Sequence, residues 1–309
     1  MLYVFNVVLP VFALILIGYV CGRTSKLGES ASVELNRFVV WLALPAQLFN
    51  FAANSGWQTL WQTDFITAFL ISCLIVFTLV FLVSYWRGKD LAVASFQGLS
   101  ASYSNTGYMG IPLCALALGQ DGLAPAIIST FVVFVMFALA TIFIEIGILS
   151  HKKHHEIILS VLKSLCTNPL LIAPVAGLLW ASSGLVMYDP VAQVISFLAG
   201  ASTPCALVSI GLFLMQKSDA SPSQTWGISA MKLLIQPLIA WFIAGPILEL
   251  PPLWLSAAVI LSALPTGTGP FMLAQYYKAD GRLISRVVLV TTVGSLITLS
   301  SILWWNGRV

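Results

Sequence analysis

Uninterrupted apolar runs of about twenty residues recur along the whole chain, separated by short polar stretches; Leu70–Val83 with its flanks is typical. A strand crossing a membrane in a barrel would alternate apolar and polar residues over about ten positions. These runs do not alternate, so they read as transmembrane helices, which need roughly 17–25 residues each. Ten fall near 3–22, 34–53, 64–86, 91–118, 123–149, 165–182, 190–215, 226–248, 254–277 and 284–305. The fourth and ninth are long and interrupted by Gly and Pro. The linkers are mostly short and leave no soluble domain.

Composition agrees with the pattern. Of 309 residues, 59% are hydrophobic and 8% are charged, against roughly 25% charged in a soluble domain. Such a chain must face lipid, where every backbone polar group needs an internal partner. Hence an all-α membrane protein is expected. The net charge of +3 is small and its basic residues are scattered, which gives nucleic acid no footprint. Cys21, Cys73, Cys114, Cys166 and Cys205 lie in or beside apolar runs without C-x-x-C spacing, and read as small apolar side chains. No Lys or Arg precedes Arg23, so the first run reads as a retained span, and Val20 before Cys21 argues against lipidation.

The basic residues set an orientation. Arg23, Lys26 and Arg37 adjoin the loop between spans one and two, and Arg87 and Lys89 separate three and four. Lys152, Lys153 and Lys163 separate five and six, Lys217 seven and eight, and Lys278, Arg282 and Arg286 flank the nine–ten turn. The alternate loops, around Asn54–Gln62, Gly119–Gly122, Ser183–Asp189 and Glu249–Pro252, have no Lys or Arg. The positive-inside rule makes the basic loops cytoplasmic and puts both termini on the non-cytoplasmic side of the cell (inner) membrane. Trp61, Trp86, Trp180, Trp254, Trp304 and Trp305, with Trp57, fall near span ends, as interfacial aromatic belts do.

Five is odd, so two consecutive five-helix units, residues 1–150 and 151–309, insert with opposite orientation. Pro45 to Pro112 is 67 residues and Pro204 to Pro270 is 66, as a duplication would leave them. Pro45 and Pro204 read as simple kinks. Span four carries Ser104-Asn105-Thr106-Gly107-Tyr108-Met109-Gly110-Ile111-Pro112, and span nine Leu264-Pro265-Thr266-Gly267-Thr268-Gly269-Pro270. Gly/Pro-interrupted segments at matching places in two halves point to a transporter's central site.

Pro suits the first turn of a helix. Pro112 and Pro270 therefore read as starts of second half-helices, whose unpaired N–H groups and positive dipole ends face the break. Two such ends make a site for an anion. Asn105, Thr106, Thr266 and Thr268 would add side-chain hydrogen bonds, and Gly107, Gly110, Gly267 and Gly269 close approach. The unwound carbonyls offer the alternative of holding Na⁺. With Met109, Ile111 and Pro265, these residues make the candidate substrate site.

Most carboxylates lie in loops or near helix ends, which disfavours a proton relay at the centre. Glu145 near the end of span five and Lys232 a turn or two into span eight read as snorkelling residues, with a coupling or substrate role as the alternative. His151, His154 and His155 read as a solvated loop rather than a metal site. No metal or cofactor is expected. No P-loop is present, and no nucleophile–base pair at membrane depth suggests an enzyme.

Asn105-Thr106-Gly107-Tyr108-Met109-Gly110-Ile111-Pro112-Leu113, Ala263-Leu264-Pro265-Thr266-Gly267 with Ala274-Gln275-Tyr276-Tyr277, Leu9-Pro10-Val11-Phe12 leading to Gly18-Tyr19, and Leu44-Pro45 resemble the auxin efflux carrier family over the whole chain. Asn105, Gly110 and Pro112 match its crossover motif. The resemblance implies a bile-acid-symporter-like fold with spans four and nine crossing at their broken centres. It also implies a scaffold of spans one, two, six and seven that often dimerises, and a transport domain of spans three to five and eight to ten. The function implied is elevator-like secondary transport of carboxylates. The short five–six loop fits the bacterial organic-acid branch, with malonate or malate as cargo, rather than the auxin exporters. A Na⁺-coupled bile-acid-type symporter is the alternative within the class, and an intramembrane receptor or enzyme the alternative outside it.

Overall fold

The computed structural model describes residues 2–28, 30–54, 61–148, 167, 169–215 and 222–306. The loop expected to hold His151, His154 and His155, with Lys152, Lys153, Lys163 and Cys166, lies outside them, as do Trp57 and Lys217. The described residues are helical almost throughout. Helices α1 (Leu2–Arg23), α2 (Ala31–Phe38) and α3 (Leu44–Asn54) come first, the last two joined by a π-helical turn, Val39–Ala43. Then follow α4 (Thr63–Trp86), α5 (Leu91–Ser102), α6 (Ile111–Leu118) and α7 (Leu123–Ile148). The second part holds α8 (Pro169–Ser183), α9 (Asp189–Leu214), α10 (Pro222–Ala230), α11 (Gln236–Phe242), α12 (Pro252–Ser262), α13 (Gly269–Tyr276) and α14 (Arg282–Asn306).

Among the described residues, five helical stretches are long and apolar enough to cross a membrane: Thr63–Trp86, Gln120–Gly147, Asp189–Leu214, Pro222–Ile247 and Arg282–Trp305. Shorter apolar helices cover Val7–Arg23, Thr106–Leu118, Ile172–Ser183 and Pro252–Ser262. Their outer faces are apolar. Along α4, Ile71, Ile75, Leu79 and Val83 are exposed on one stripe, while Phe65, Phe69, Cys73 and Phe77 are buried on another. Water would penalise so large an apolar surface, and lipid does not.

Most of the helices share one apolar core. α1 lies on α9 and α3 on α8, with α9 also against α2 and α3. The α1–α9 contact is backbone to backbone: a Cβ on Gly211 would overlap the Ile15 carbonyl, and one on Gly18 the Val208 carbonyl. Small residues at a crossing allow this approach, which raises dispersion contact where no hydrophobic force separates helix from lipid. Ser32 and Ser209 tie α2 to α9, each hydroxyl donating to the other's carbonyl at 3.3 Å. α4 packs on α5 and α11, α5 on α7, α12 on α11 and α10 on α14, and α1 also reaches α6 and α14.

Pro45 and Pro204 do not break their helices. Pro204 lies inside α9, and Pro45 follows the π-turn within an otherwise continuous helical stretch. The breaks fall at 103–105 and 263–268, between α5 and the helix beginning at Thr106 and between α12 and α13.

Candidate functional site

Asp90 caps α5 by accepting from the Val93 N–H at 2.7 Å. The helix ends where Ser, Asn, Thr and Gly replace aliphatic residues, types whose side chains compete for backbone groups and hold helices weakly. Tyr103 turns extended (φ −81°, ψ 94°) and Asn105 follows at φ −76°, ψ 58°. In the other break, Pro265 disfavours helix at Leu264 and supplies no N–H of its own. The helix has already stopped at Ala263.

A broken helix strands polar backbone groups, which a lipid-immersed protein must satisfy internally. Here each break satisfies the other. The Asn105 N–H donates to the Pro265 carbonyl at 2.9 Å, and the Gly267 N–H to the Tyr103 carbonyl at 3.0 Å. Ser104 and Thr266 thereby form an isolated antiparallel bridge. Fully buried Thr266 adds a bond from Oγ1 to the Ser100 carbonyl at 2.8 Å, and its N–H reaches Thr291 Oγ1 at 3.1 Å. The fit is close: a Cβ on Gly267 or Gly269 would come within 2.9 Å or 2.7 Å of the Tyr103 ring.

Two helices leave this junction. Pro270 is the second residue of α13, as the sequence indicates. Pro112 is in the first turn of α6, but a π-helical turn, Thr106–Gly110, precedes α6 without interruption. The Met109 and Gly110 N–H groups both donate to the Asn105 carbonyl. The leading amides are thus those of Gly107 and Tyr108, and Pro112 lies more than a turn from the break. This corrects the expectation that the helix starts at Pro112; the π-turn absorbs the missing proline donor and moves the start back to Thr106.

A cavity of about 140 Å³ opens against both helix starts. Its polar wall is Tyr103, Ser104, Asn105, Thr106, Gly107 and Tyr108 from one break, Thr268 and Gly269 from the other, and Thr130 of α7. Val40, Leu44, Val133, Phe134, Phe137 and Met272 close the remainder. No side chain in this lining is ionisable at neutral pH. Ser104 Oγ and Thr106 Oγ1 are buried and make no hydrogen bond among the described residues. The Asn105 amide is mostly buried, with no hydrogen bond from its side chain among them. Orphaned polar groups in a buried site cost stability unless something binds them.

Of the thirteen candidate residues, Asn105, Thr106, Gly107, Thr268 and Gly269 line the cavity. Pro265, Thr266 and Gly267 form the bridge behind it. Met109 is fully buried, Gly110 packs against Leu261 and Leu264, and Ile111, Pro112 and Pro270 lie further along the two helices. Sequence reasoning missed Tyr103, Ser104 and Tyr108, although Ser104 and Tyr108 stand within the span-four segment and Tyr103 adjoins it. It also missed the walls from α3, α7 and the Val39–Ala43 turn, for which the sequence offers no local signal.

Tyr108 also leaves the cavity wall to bond the Asn36 side chain of α2, its hydroxyl donating to Oδ1 at 2.5 Å. Asn36 Nδ2 contacts Met272 Sδ of α13 at 3.3 Å. The snorkelling expected of Glu145 and Lys232 is not found. Glu145 is 4% exposed and Oε1 accepts from the Tyr277 hydroxyl at 2.7 Å; Lys232 is 0% exposed. Both side chains find partners inside the protein, which removes the reason to reach for the interface.

Residues 3–303 match the family model described as membrane transport protein. The chain belongs to this family. It is of the auxin efflux carrier type, as its motifs indicated: over 160 residues it is 26% identical to "Auxin efflux carrier component 8" of Arabidopsis thaliana, covering 48% of this chain and 41% of that one. The "Putative malonate transporter" of Rhizobium meliloti (strain 1021) is 30% identical over 302 residues, 97% of this chain and 94% of its own. An uncharacterized transporter of Methanocaldococcus jannaschii is 27% identical over 309 residues, 97% of each chain. The apolar helices and this family membership make the chain a multi-pass membrane transporter.

Proposed function

We propose that the chain is a secondary transporter of small organic anions, carboxylates such as malonate or malate, working by elevator-like alternating access. The observation that carries this reading is the cavity at the paired breaks. Two helix starts present unpaired first-turn amides to it, and Ser104, Asn105 and Thr106 present polar side chains with no hydrogen-bond partner among the described residues. Helix N-termini favour anions. The volume is well under the roughly 300–1,000 Å³ of pockets for drug-sized ligands, so the cargo is small. Malonate is named by one relative.

In this reading the chain makes ten spans in two inverted halves, residues 1–150 and 151–309. It sits in the cell membrane with both termini on the non-cytoplasmic side. Helices α1–α3, α8 and α9 form the scaffold, through which two copies pair. The rest move as the transport unit, α5–α6 and α12–α13 being the crossing broken helices. The carbonyls of Ser100, Ser102, Tyr103, Ser262 and Pro265 already accept hydrogen bonds, which favours anion binding at the amides over Na⁺ binding at the carbonyls.

The test is uptake of radiolabelled malonate and malate by proteoliposomes in sodium or choline buffer. Uptake in choline is expected. A strict Na⁺ requirement moves the assignment to a Na⁺-coupled symporter, and failure of all small mono- and dicarboxylates to bind or move overturns the reading.

A further inference from the structure

Away from the cavity at the breaks, α4 and α10 both lean on α5, and a groove of about 440 Å³ runs between them. The end of α4 and the start of α10 meet at one end of this groove, so its lining sorts by depth. Val80, Ile228 and Met231 close the inner end, where Val80 and Ile228 belong to a buried apolar cluster with Val76, Ala101 and Val287. Leu79 and Val83 form one side, and both belong to the exposed apolar stripe of α4. Arg87, Lys89 and Gln224 stand at the outer end. Leu79 lies two turns before Arg87, roughly 12 Å along the helix axis.

The charges at the mouth are uncompensated. α4 stops at Trp86, and Gly88 turns the chain at φ +78°, a region that costs glycine little. The turn puts Arg87 and Lys89 on the same groove. Neither side chain makes an ion pair or a hydrogen bond among the described residues, and none of those that line the groove is a carboxylate. Asp90 and Asp280 border the adjoining hollow but are engaged elsewhere: Asp90 caps α5, and Asp280 accepts from Arg282 at 2.7 Å. Gln97 accepts from the Ser84 hydroxyl at 2.6 Å, which leaves its amide nitrogen as a further donor in the lining. Tyr85 and Trp86 are exposed beside the mouth, and aromatic side chains at a span end mark the depth of lipid headgroups.

Snorkelling accounts for a cation at a span end, but not for an apolar groove directly beneath two of them. An anion taken from water would need no such floor, and an acyl chain alone would need no cations. A phospholipid of net negative charge uses both. Its phosphate meets the bidentate fork of Arg87 and the point charge of Lys89, and its chain follows Val83, Leu79 and Ile228 toward the lipid face. Basic pockets between transmembrane helices hold headgroups of this kind, and the volume falls within the roughly 300–1,000 Å³ of ligand pockets. We propose that the groove between α4 and α10 binds one anionic phospholipid, taken from the leaflet on the side of the basic loops. It shares no residue with the cavity at the breaks, so it stands whatever cargo that cavity carries.

The test is native mass spectrometry of the delipidated full chain, titrated with phosphatidylglycerol or zwitterionic phosphatidylcholine. The wild type should hold one phosphatidylglycerol about thirtyfold more tightly than phosphatidylcholine, as two cations at roughly fivefold each give. Arg87→Gln with Lys89→Gln should erase that preference. Arg23→Gln with Lys26→Gln removes two charges from another basic loop and should leave it intact. Gly227→Phe keeps every charge. A Cβ on Gly227, which lines the groove, meets nothing within 4 Å, so the ring can occupy the groove without displacing the helix. Phosphatidylglycerol affinity should then fall about tenfold, as loss of two buried CH₂ groups gives. Equal wild-type affinity for the two lipids, equal loss in the Arg23 and Lys26 pair, or full binding in Gly227→Phe overturns the proposal. Inorganic phosphate is the remaining arm and should neither displace the lipid nor raise the melting temperature. If millimolar phosphate does both, the groove takes a free anion and the lipid assignment falls.

Discussion

The amide of Asn105 donates to the carbonyl of Pro265, 2.9 Å away, and so one broken helix is completed by the other. The backbone of Asn105 does the structural work, its carbonyl also accepting from Met109 and Gly110. Its side chain lines the cavity and makes no hydrogen bond among the described residues. Structure and binding are therefore separable at this residue.

Asn105→Ala should keep the bridge and lose the ligand contact. The expected result is carboxylate affinity reduced by about 1.5–3 kcal/mol, the range for a hydrogen bond to a charged group, with an unchanged melting temperature in detergent. Unchanged binding and transport kinetics would remove Asn105 from the site.

Gly269→Ala should place a methyl against the Tyr103 ring, 2.7 Å from its nearest atom. The ring must then turn into the cavity it lines. Transport should fall while the protein remains inserted and monodisperse, and pairing the change with Tyr103→Ala should restore part of the binding. If Gly269→Ala alone transports like the wild type, the ring does not limit the cavity.

Tyr108 and Asn36 join a helix of the junction to α2. A double-mutant cycle of Tyr108→Phe and Asn36→Ala should give a coupling energy of about 0.5–1.5 kcal/mol in unfolding experiments. This bond spans the boundary between the proposed scaffold and transport unit, so Asn36→Ala should also change the transport rate more than the affinity. Additive single effects would show that the bond contributes nothing.

Gln236→Leu leaves the Ser102 carbonyl buried without its side-chain donor. Loss of about 1–3 kcal/mol of stability is expected, the cost of an unsatisfied buried acceptor, read as a lower melting temperature. No change in melting temperature would mean that another donor, such as water, takes the place of Gln236.

Much of this architecture is legible in the sequence because it depends on local chemistry. Continuous apolar runs dictate helices that face lipid, and the Ser/Asn/Thr/Gly and Pro/Thr/Gly clusters mark where those helices fail. Asn105, Thr106, Gly107, Thr268 and Gly269 follow from that reasoning and line the cavity. Pro112 misled, since the five-residue π-turn centred on Tyr108 cannot be told from ordinary helix by composition.

The sequence by itself determines that two helices must break and which residue types stand at the breaks. Only the tertiary structure decides which groups answer the freed amides and carbonyls: Asn105 with Pro265, Gly267 with Tyr103, Gln236 with Ser102 and Lys232 with Ser262. The reason is physical. Helix breaking is a property of neighbouring residues, whereas hydrogen-bond satisfaction in a lipid-facing protein is a demand on the whole fold, met by whatever donor packing brings within reach. Lys232 shows the difference most sharply, for its sequence position suggests a chain reaching for water, and its neighbours in space give it a carbonyl instead.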